Sequence, residues 1–146
     1  MRVIFGIFPL LAIPVIIYNL MALTAGGEDI NGVSAMAMQL ADPTHGWSVF
    51  GAWRVTSGDI LVILSMGFFF IEILKSTSTG SATIANHAVS MIVFIVCLVE
   101  FLLLKNFQTS AFFILTLMCL LDVLAGVVVT IISARRDFTV GDGIPH

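Results

Sequence analysis

Four long apolar runs, separated by polar segments, constrain the fold of this chain more than any other feature. They cover residues 2–23, 57–74, 84–104 and 109–134. A helix needs about 20 apolar residues to cross the hydrocarbon of a bilayer, and each run is near that length. Inside a bilayer the backbone must satisfy its own hydrogen bonds, which favours helices. We therefore predict an all-α membrane protein with four transmembrane helices in an antiparallel bundle.

The composition supports this class and excludes others. The chain is 59% hydrophobic and 10% charged, whereas soluble domains average about 45–50% apolar and about 25% charged residues. With six Lys and Arg residues and a net charge of −3, it offers no basic surface for nucleic acid. Four spans and their connections use nearly all 146 residues, so we expect one transmembrane domain, residues 1–146, without a soluble catalytic domain.

The first run, residues 2–23, follows a single cation, as a secretory signal peptide also does. The apolar part of a signal peptide has about 7–15 residues, and this run is longer, so we expect it to remain as the first span. Pro9 and Pro14 lie within it and lack an N–H group, so we expect a bent helix in which the carbonyl of Leu10 loses its usual donor.

The longest connection, residues 24–56, is expected to lie outside the membrane. Residues Gly32–Ala41 contain no helix breaker after Gly32 and predict a short helix lying on the membrane surface. Both tryptophans of the chain follow, at Trp47 and Trp53. Tryptophan is enriched at the boundary between water and lipid, so we expect these two residues to act as interface anchors.

Polar segments separate the later runs and close the last one, at residues 75–83, 105–108 and 135–146. Thr56 and Asp59 fit a capping box, in which each side chain binds the backbone N–H of the other residue. Arg135 and Arg136 are expected to end the fourth span and to leave a polar C-terminal tail.

The distribution of cations predicts the orientation, because Lys and Arg favour cytoplasmic loops. With the N-terminus inside, four cations fall on the inner side and two on the outer side: Arg2, Lys75, Arg135 and Arg136 against Arg54 and Lys105. We predict that both termini are cytoplasmic and that the protein lies in a bacterial cytoplasmic (inner) membrane.

Asp122 lies close to the middle of the fourth run. An aspartate at that depth costs about 2.5–3.5 kcal/mol, while each of the fourteen Leu, Ile, Val and Phe residues of the run returns about 0.3–0.6 kcal/mol. Insertion is therefore allowed, and we expect Asp122 to face protein. It is either a proton or cation carrier or a hydrogen-bonded packing residue.

A second polar group is predicted near the cytoplasmic end of the second run. Glu72 and Lys75 are three residues apart and share a helix face. Antiparallel pairing with the third run places Glu72 level with His87, so we expect a hydrogen bond between them. This group is either a site of proton entry, because histidine titrates near neutral pH, or an interfacial ion pair in which Lys75 reaches the lipid headgroups.

Glu100 lies near the outer end of the third run. Three polar residues of the first and fourth runs are expected at its height: Tyr18, Asn19 and Thr116. They form either a structural hydrogen-bond network or the outer step of a proton path that includes Glu72, His87 and Asp122.

Small residues on the face of Asp122, namely Cys119, Gly126 and Thr130, predict a helix-packing surface. Cys97 is expected at the level of Cys119, and we interpret both cysteines as small apolar residues. The spans contain one histidine, and no motif for zinc, haem, phosphate or nucleophilic chemistry is present. We therefore expect no metal, no cofactor and no enzyme activity.

These features favour a non-enzymatic accessory, assembly or scaffold subunit of a larger membrane complex, which acts through helix–helix and lipid contacts. Its expected partners are membrane lipids, other integral membrane proteins or further copies of the chain. The alternative is a small oligomeric transporter or proton-coupled channel that uses Asp122, Glu72 and Glu100.

Overall fold

A computed structural model describes residues 8–25, 35–42, 46–51, 53–76 and 81–140. Within these residues the chain is mostly helical. In chain order its elements are α1 (Ala12–Thr24), α2 (Ala35–Ala41), β1 (Trp47–Phe50), β2 (Trp53–Val55), α3 (Ser57–Ser76), α4 (Ser81–Leu103), a 3-10 turn (Lys105–Phe107) and α5 (Ser110–Val140).

Three of these helices are long and apolar enough to cross a membrane. The apolar segments are Ser57–Lys75, Ile84–Leu103 and Ser110–Ile132, with mean hydropathies of 1.9, 2.1 and 2.6. Each matches one of the apolar runs, and helices of 19 to 23 residues extend about 29–35 Å at 1.5 Å per residue. The prediction of long apolar helices that could span a membrane is confirmed for three of the four runs.

The first run folds differently from the expected bent helix. Helix α1 has 13 residues, about 20 Å, and begins after Pro9. Pro14 lies in its first turn, where a helix needs no N–H donor. The carbonyl of Leu10 accepts a 3.0 Å hydrogen bond from the N–H of Ile13. Leu10 thus lacks its usual i+4 donor, as predicted, and an i+3 bond from Ile13 takes its place at the start of the helix.

Helix α5 is the centre of the molecule, since it makes the most extensive contacts with both α3 and α4. Helix α1 contacts all three long helices. Tyr18 of α1 is fully buried between the rings of Phe107 and Phe112. Its hydroxyl donates to the carbonyl of Asn106 at 2.9 Å and shares a 2.6 Å hydrogen bond with the hydroxyl of Thr109. These contacts attach α1 to the turn between α4 and α5.

The connection before α3 forms a helix and a hairpin. The predicted short helix is present as α2, and residues 26–34 lie outside the described part. Met36 and Leu40 are buried against the bundle, and a Cβ on Gly58 would lie 3.1 Å from the carbonyl oxygen of Leu40. Gly58 therefore allows α2 to approach the start of α3 closely.

Strands β1 and β2 pair antiparallel, a hairpin that the sequence analysis did not predict. Gly51 supplies the positive φ of 54° at its turn. Trp47 is 67% exposed, as an interface anchor requires. The side chain of Trp53 lies outside the described part of the chain.

The start of α3 agrees with the sequence prediction, and the end of α5 differs from it. The capping box is confirmed: Asp59 accepts from the N–H of Thr56 at 2.9 Å, and Thr56 accepts from the N–H of Asp59 at 3.2 Å. Helix α5 continues to Val140, beyond Arg135 and Arg136. Arginine is a good helix former, so these two residues end the apolar stretch and not the helix.

Candidate intramembrane polar site

A buried carboxylate organises the polar residues where α3 ends. Glu72 is fully buried and accepts hydrogen bonds from Asn86 at 2.6 Å, from the N–H of Leu10 at 2.7 Å and from Lys75 at 3.2 Å. Lys75 also donates to the side-chain carbonyl of Asn86 at 3.0 Å and to the backbone carbonyl of Phe8 at 2.6 Å. We call these five residues the Glu72 network.

The Glu72 network explains how the start of α1 is tolerated in an apolar surrounding. Pro9 interrupts the backbone pattern, and the neighbouring N–H of Leu10 and carbonyl of Phe8 lie outside the helix. An unpaired backbone group inside hydrocarbon costs several kcal/mol. Glu72 pairs with the first group and Lys75 with the second. The two charges also neutralise each other, so this network is complete.

The expected hydrogen bond between Glu72 and His87 is not made. Asn86, the preceding residue of α4, takes that place. Antiparallel pairing gives the height of a residue but not its rotation about the helix axis, and successive residues of a helix point about 100° apart. His87 therefore points to α5 when Asn86 points to α3.

His87 packs against the backbone of α5 at Gly126. A Cβ built on Gly126 would lie 2.2 Å from Nδ1 and 2.5 Å from Cγ of the His87 ring, so only glycine leaves room for the imidazole. Both ring nitrogens are buried and have no hydrogen-bond partner among the described residues. A helical glycine that faces a histidine in this way is a specific contact between α4 and α5.

Two further buried polar groups lie on the faces of α4 and α5 that carry His87 and Gly126. Ser90 is one turn from His87 along α4, and Asp122 is one turn from Gly126 along α5. They are 3% and 1% exposed, and the Ser90 hydroxyl lies beside the Asp122 carboxylate. Neither Ser90 Oγ nor Asp122 Oδ1 has a hydrogen-bond partner within 3.5 Å among the described residues, although the Ser90 hydroxyl is close enough to interact favourably with the carboxylate. We call His87, Ser90 and Asp122 the polar recess.

The electrostatics of the polar recess differ from those of the Glu72 network beside it. Asp122 interacts electrostatically with Glu72, His87 and Lys75. Lys75 is already paired with Glu72. With Asp122 ionised, Glu72, Lys75 and Asp122 together carry one excess negative charge. A buried polar atom without a partner costs about 1–3 kcal/mol, and the recess holds four of them.

Glu100 is separate from the polar recess. It accepts a 3.3 Å hydrogen bond from Asn19, which also donates to the carbonyl of Val15 at 3.1 Å. The two other members of the expected outer group are not part of it. Tyr18 binds Thr109, and the hydroxyl of Thr116 donates to Phe112 within its own helix.

The small-residue face of α5 is used inside the chain. Cys119 and Cys97 are 2% and 0% exposed and their thiols face each other. Gly126 receives the ring of His87. Thr130, which is exposed, donates to the carbonyl of Gly126 in its own helix at 2.8 Å. Cys119 and Gly126 therefore pack α5 on α4, whereas Thr130 stays exposed.

A groove of about 520 Å³ opens at the opposite end of the bundle, between α2 and the first turns of α3 and α5. Its lining includes Leu40, Thr56, Asp59, Val62, Gln108 and Ile114. The polar groups of this groove are those of the capping box and the α4–α5 turn. The unpaired buried atoms are in the polar recess, which we therefore regard as the chemical site.

The sequence predicts His87 and Asp122 at different depths. Ser90 and Asn86 are not among the residues predicted for the site. The signal for Ser90 and Asn86 was present, because each is a polar residue inside an apolar run and next to, or one turn from, His87.

Among the residues that the structure describes, no three His, Cys, Asp or Glu side chains come together as a metal site would require. Comparisons of the chain with protein families, with curated proteins and with solved structures found no match.

Proposed function

We propose that this protein is a small membrane transporter or channel coupled to protons, with the polar recess as its ion-handling site. The observation that carries the proposal is the group of four buried, unpaired polar atoms of His87, Ser90 and Asp122. Ionisable residues inside a membrane are expensive and usually mark ion or proton pathways. The charges of Glu72 and Lys75 pair with each other, whereas Asp122 Oδ1 has no hydrogen-bond partner among the described residues.

Transport is tested with the purified full chain in proteoliposomes that contain a pH-sensitive dye. An imposed pH gradient, with a potassium diffusion potential to drive charge movement, should change the internal pH faster than in protein-free vesicles. A sodium gradient of the same size should not change it. Flux equal to that of protein-free vesicles under every gradient would contradict the proposal.

A second candidate is the accessory, assembly or scaffold subunit that the composition favours. It is supported by the large apolar surfaces of α3 and α4, of whose spans 22% and 17% are buried within the chain. The small-residue face no longer supports it, because Cys119 and Gly126 pack inside the chain. Gentle purification with native mass measurement tests it: a heteromeric peak is expected for a subunit, and a bare monomer would argue against it.

We further propose four antiparallel spans, with α1 as the core of the first and both termini in the cytoplasm of a bacterial cell. Two contacts support this. Leu10 binds Glu72 near the end of α3, and the carbonyl of Ala22 binds Asn106 in the α4–α5 turn. Helix α1 therefore runs from one end of the long helices toward the other. The excess of Lys and Arg on one side supports the orientation.

A further inference from the structure

We infer that the polar recess binds a single proton, held between the Asp122 carboxylate and the His87 imidazole with the Ser90 hydroxyl beside them. This inference rests on the proposed function, since it names the ion that the site takes.

The surroundings of Asp122 carry one unbalanced negative charge. Glu72 and Lys75 form an ion pair at 3.2 Å, which leaves the carboxylate of Asp122 as the unbalanced charge. Among the described residues, α3 contributes Glu72 and Lys75 to these surroundings, α4 contributes His87, and α1 contributes no charged side chain. One positive charge therefore makes the recess electrically neutral. Lys75 already balances the charge of Glu72, so the acceptors left for this positive charge are those of Asp122 and His87.

The unpaired atoms of the polar recess favour a proton over a metal cation. They consist of one carboxylate oxygen, one hydroxyl oxygen and two imidazole nitrogens. Hard metal cations take several oxygen ligands, and two oxygens are too few. Carboxylate and imidazole are the two side-chain groups that exchange protons most readily near neutral pH. The hydroxyl of Ser90 can donate and accept a hydrogen bond, so it suits either protonation state of its neighbours.

The position of His87 favours proton binding at Asp122. Because Gly126 has no side chain, the imidazole ring lies against the α5 backbone, one turn from Asp122. Proton binding then needs only one new bond: a proton from water adds to Asp122 Oδ1, beside the imidazole, and the charge of the recess rises from −1 to 0. Release returns the proton to water. Gly126 thus positions His87.

The inference is tested without any gradient, on the full chain in lipid, by infrared difference spectroscopy between about pH 8 and about pH 5. The wild type should gain a carbonyl band of a protonated carboxylic acid. Asp122→Asn should lose that band, Asp122→Glu should move it, and the exposed control Asp59→Asn should keep it. Persistence of the band in Asp122→Asn would overturn the inference.

Nitrogen-15 spectra of labelled histidine give a second readout, with His87→Gln used for assignment. Loss of the neighbouring carboxylate in Asp122→Asn should change the chemical shifts of the His87 ring nitrogens. Unchanged shifts would overturn the pairing. Exchange of choline for sodium should leave the infrared band and the nitrogen shifts in place, and a change caused by sodium would identify a metal cation instead of a proton. A wild type that shows the carboxylic acid band but no flux would contradict only transport.

Discussion

Glu72 and Asp122 are buried carboxylates of neighbouring helices, and their partners distinguish them. Glu72 accepts three hydrogen bonds, one of them from Lys75, which also neutralises its charge. Asp122 has an oxygen with no partner among the described residues and lies beside the equally unpaired Ser90. A paired buried charge stabilises a particular arrangement, whereas an unpaired one destabilises the fold unless it binds something. We therefore propose a structural role for Glu72 and a proton-binding role for Asp122.

Gly126 provides the sharpest test at a single residue. In Gly126→Ala the new Cβ meets the His87 ring at three atoms, including Cγ, so the whole ring must move. Forced repacking of this kind costs about 1–3 kcal/mol. We expect a loss of that size in the free energy of unfolding, measured by circular dichroism during titration with a denaturing detergent.

Gly67 of α3 is a matched control, because nothing lies within 4 Å of a Cβ built there. Gly67→Ala should be neutral or slightly stabilising, since alanine favours helix. In a His87→Ala background the penalty of Gly126→Ala should disappear. Equal losses at the two glycines, or a penalty that persists without the ring, would show that His87 does not occupy the place described.

At the scale of elements, the sequence predicts helices better than the faces that they present. Runs of about 20 apolar residues predict α3, α4 and α5 because the bilayer fixes both their length and their backbone pairing. The capping box at Thr56 and Asp59 is local chemistry and is likewise predictable. The rotation of each helix about its own axis is not predictable, because a span that is apolar on every side does not show which face is buried. For this reason Asn86, and not His87, meets Glu72.

Other differences arise from competition between local signals and tertiary contacts. The β1–β2 hairpin contains a register irregularity between Ser48 and Phe50. Its two short strands are separated by Gly51 and Ala52 without a strongly alternating pattern. Pro9 and Pro14 predict a break, but the sequence does not show that Glu72 and Lys75 pair with the backbone groups that Pro9 leaves outside the helix.

The packing of helix α2 on the bundle is tested by two methionines. Met36 is fully buried, whereas Met38 is 53% exposed on the same helix. Met36→Ala removes a buried side chain and should lower the free energy of unfolding by about 2–5 kcal/mol. Met38→Ala should change it by less than about 0.5 kcal/mol. Similar effects at both positions would mean that α2 does not pack on α3 as described.

At the scale of the whole molecule, the number of spans decides where the termini lie. Four spans place both termini on one side of the membrane, and three place them on opposite sides. Reporter fusions to each end of the full chain in bacterial cells should show both ends in the cytoplasm, as the cations of the loops predict. Reporters on opposite sides would show that α1 does not belong to a span.

We propose that Asp122 carries the proton that the protein moves. The most direct measurement is the rate of proton flux in proteoliposomes for Asp122→Asn beside the wild type and Asp59→Asn, at equal amounts of folded protein. Asp59 is exposed and caps α3, so Asp59→Asn makes the same acid-to-amide change outside the polar recess. The account predicts flux at the level of protein-free vesicles for Asp122→Asn and near the wild-type rate for Asp59→Asn. Wild-type flux in Asp122→Asn would contradict it.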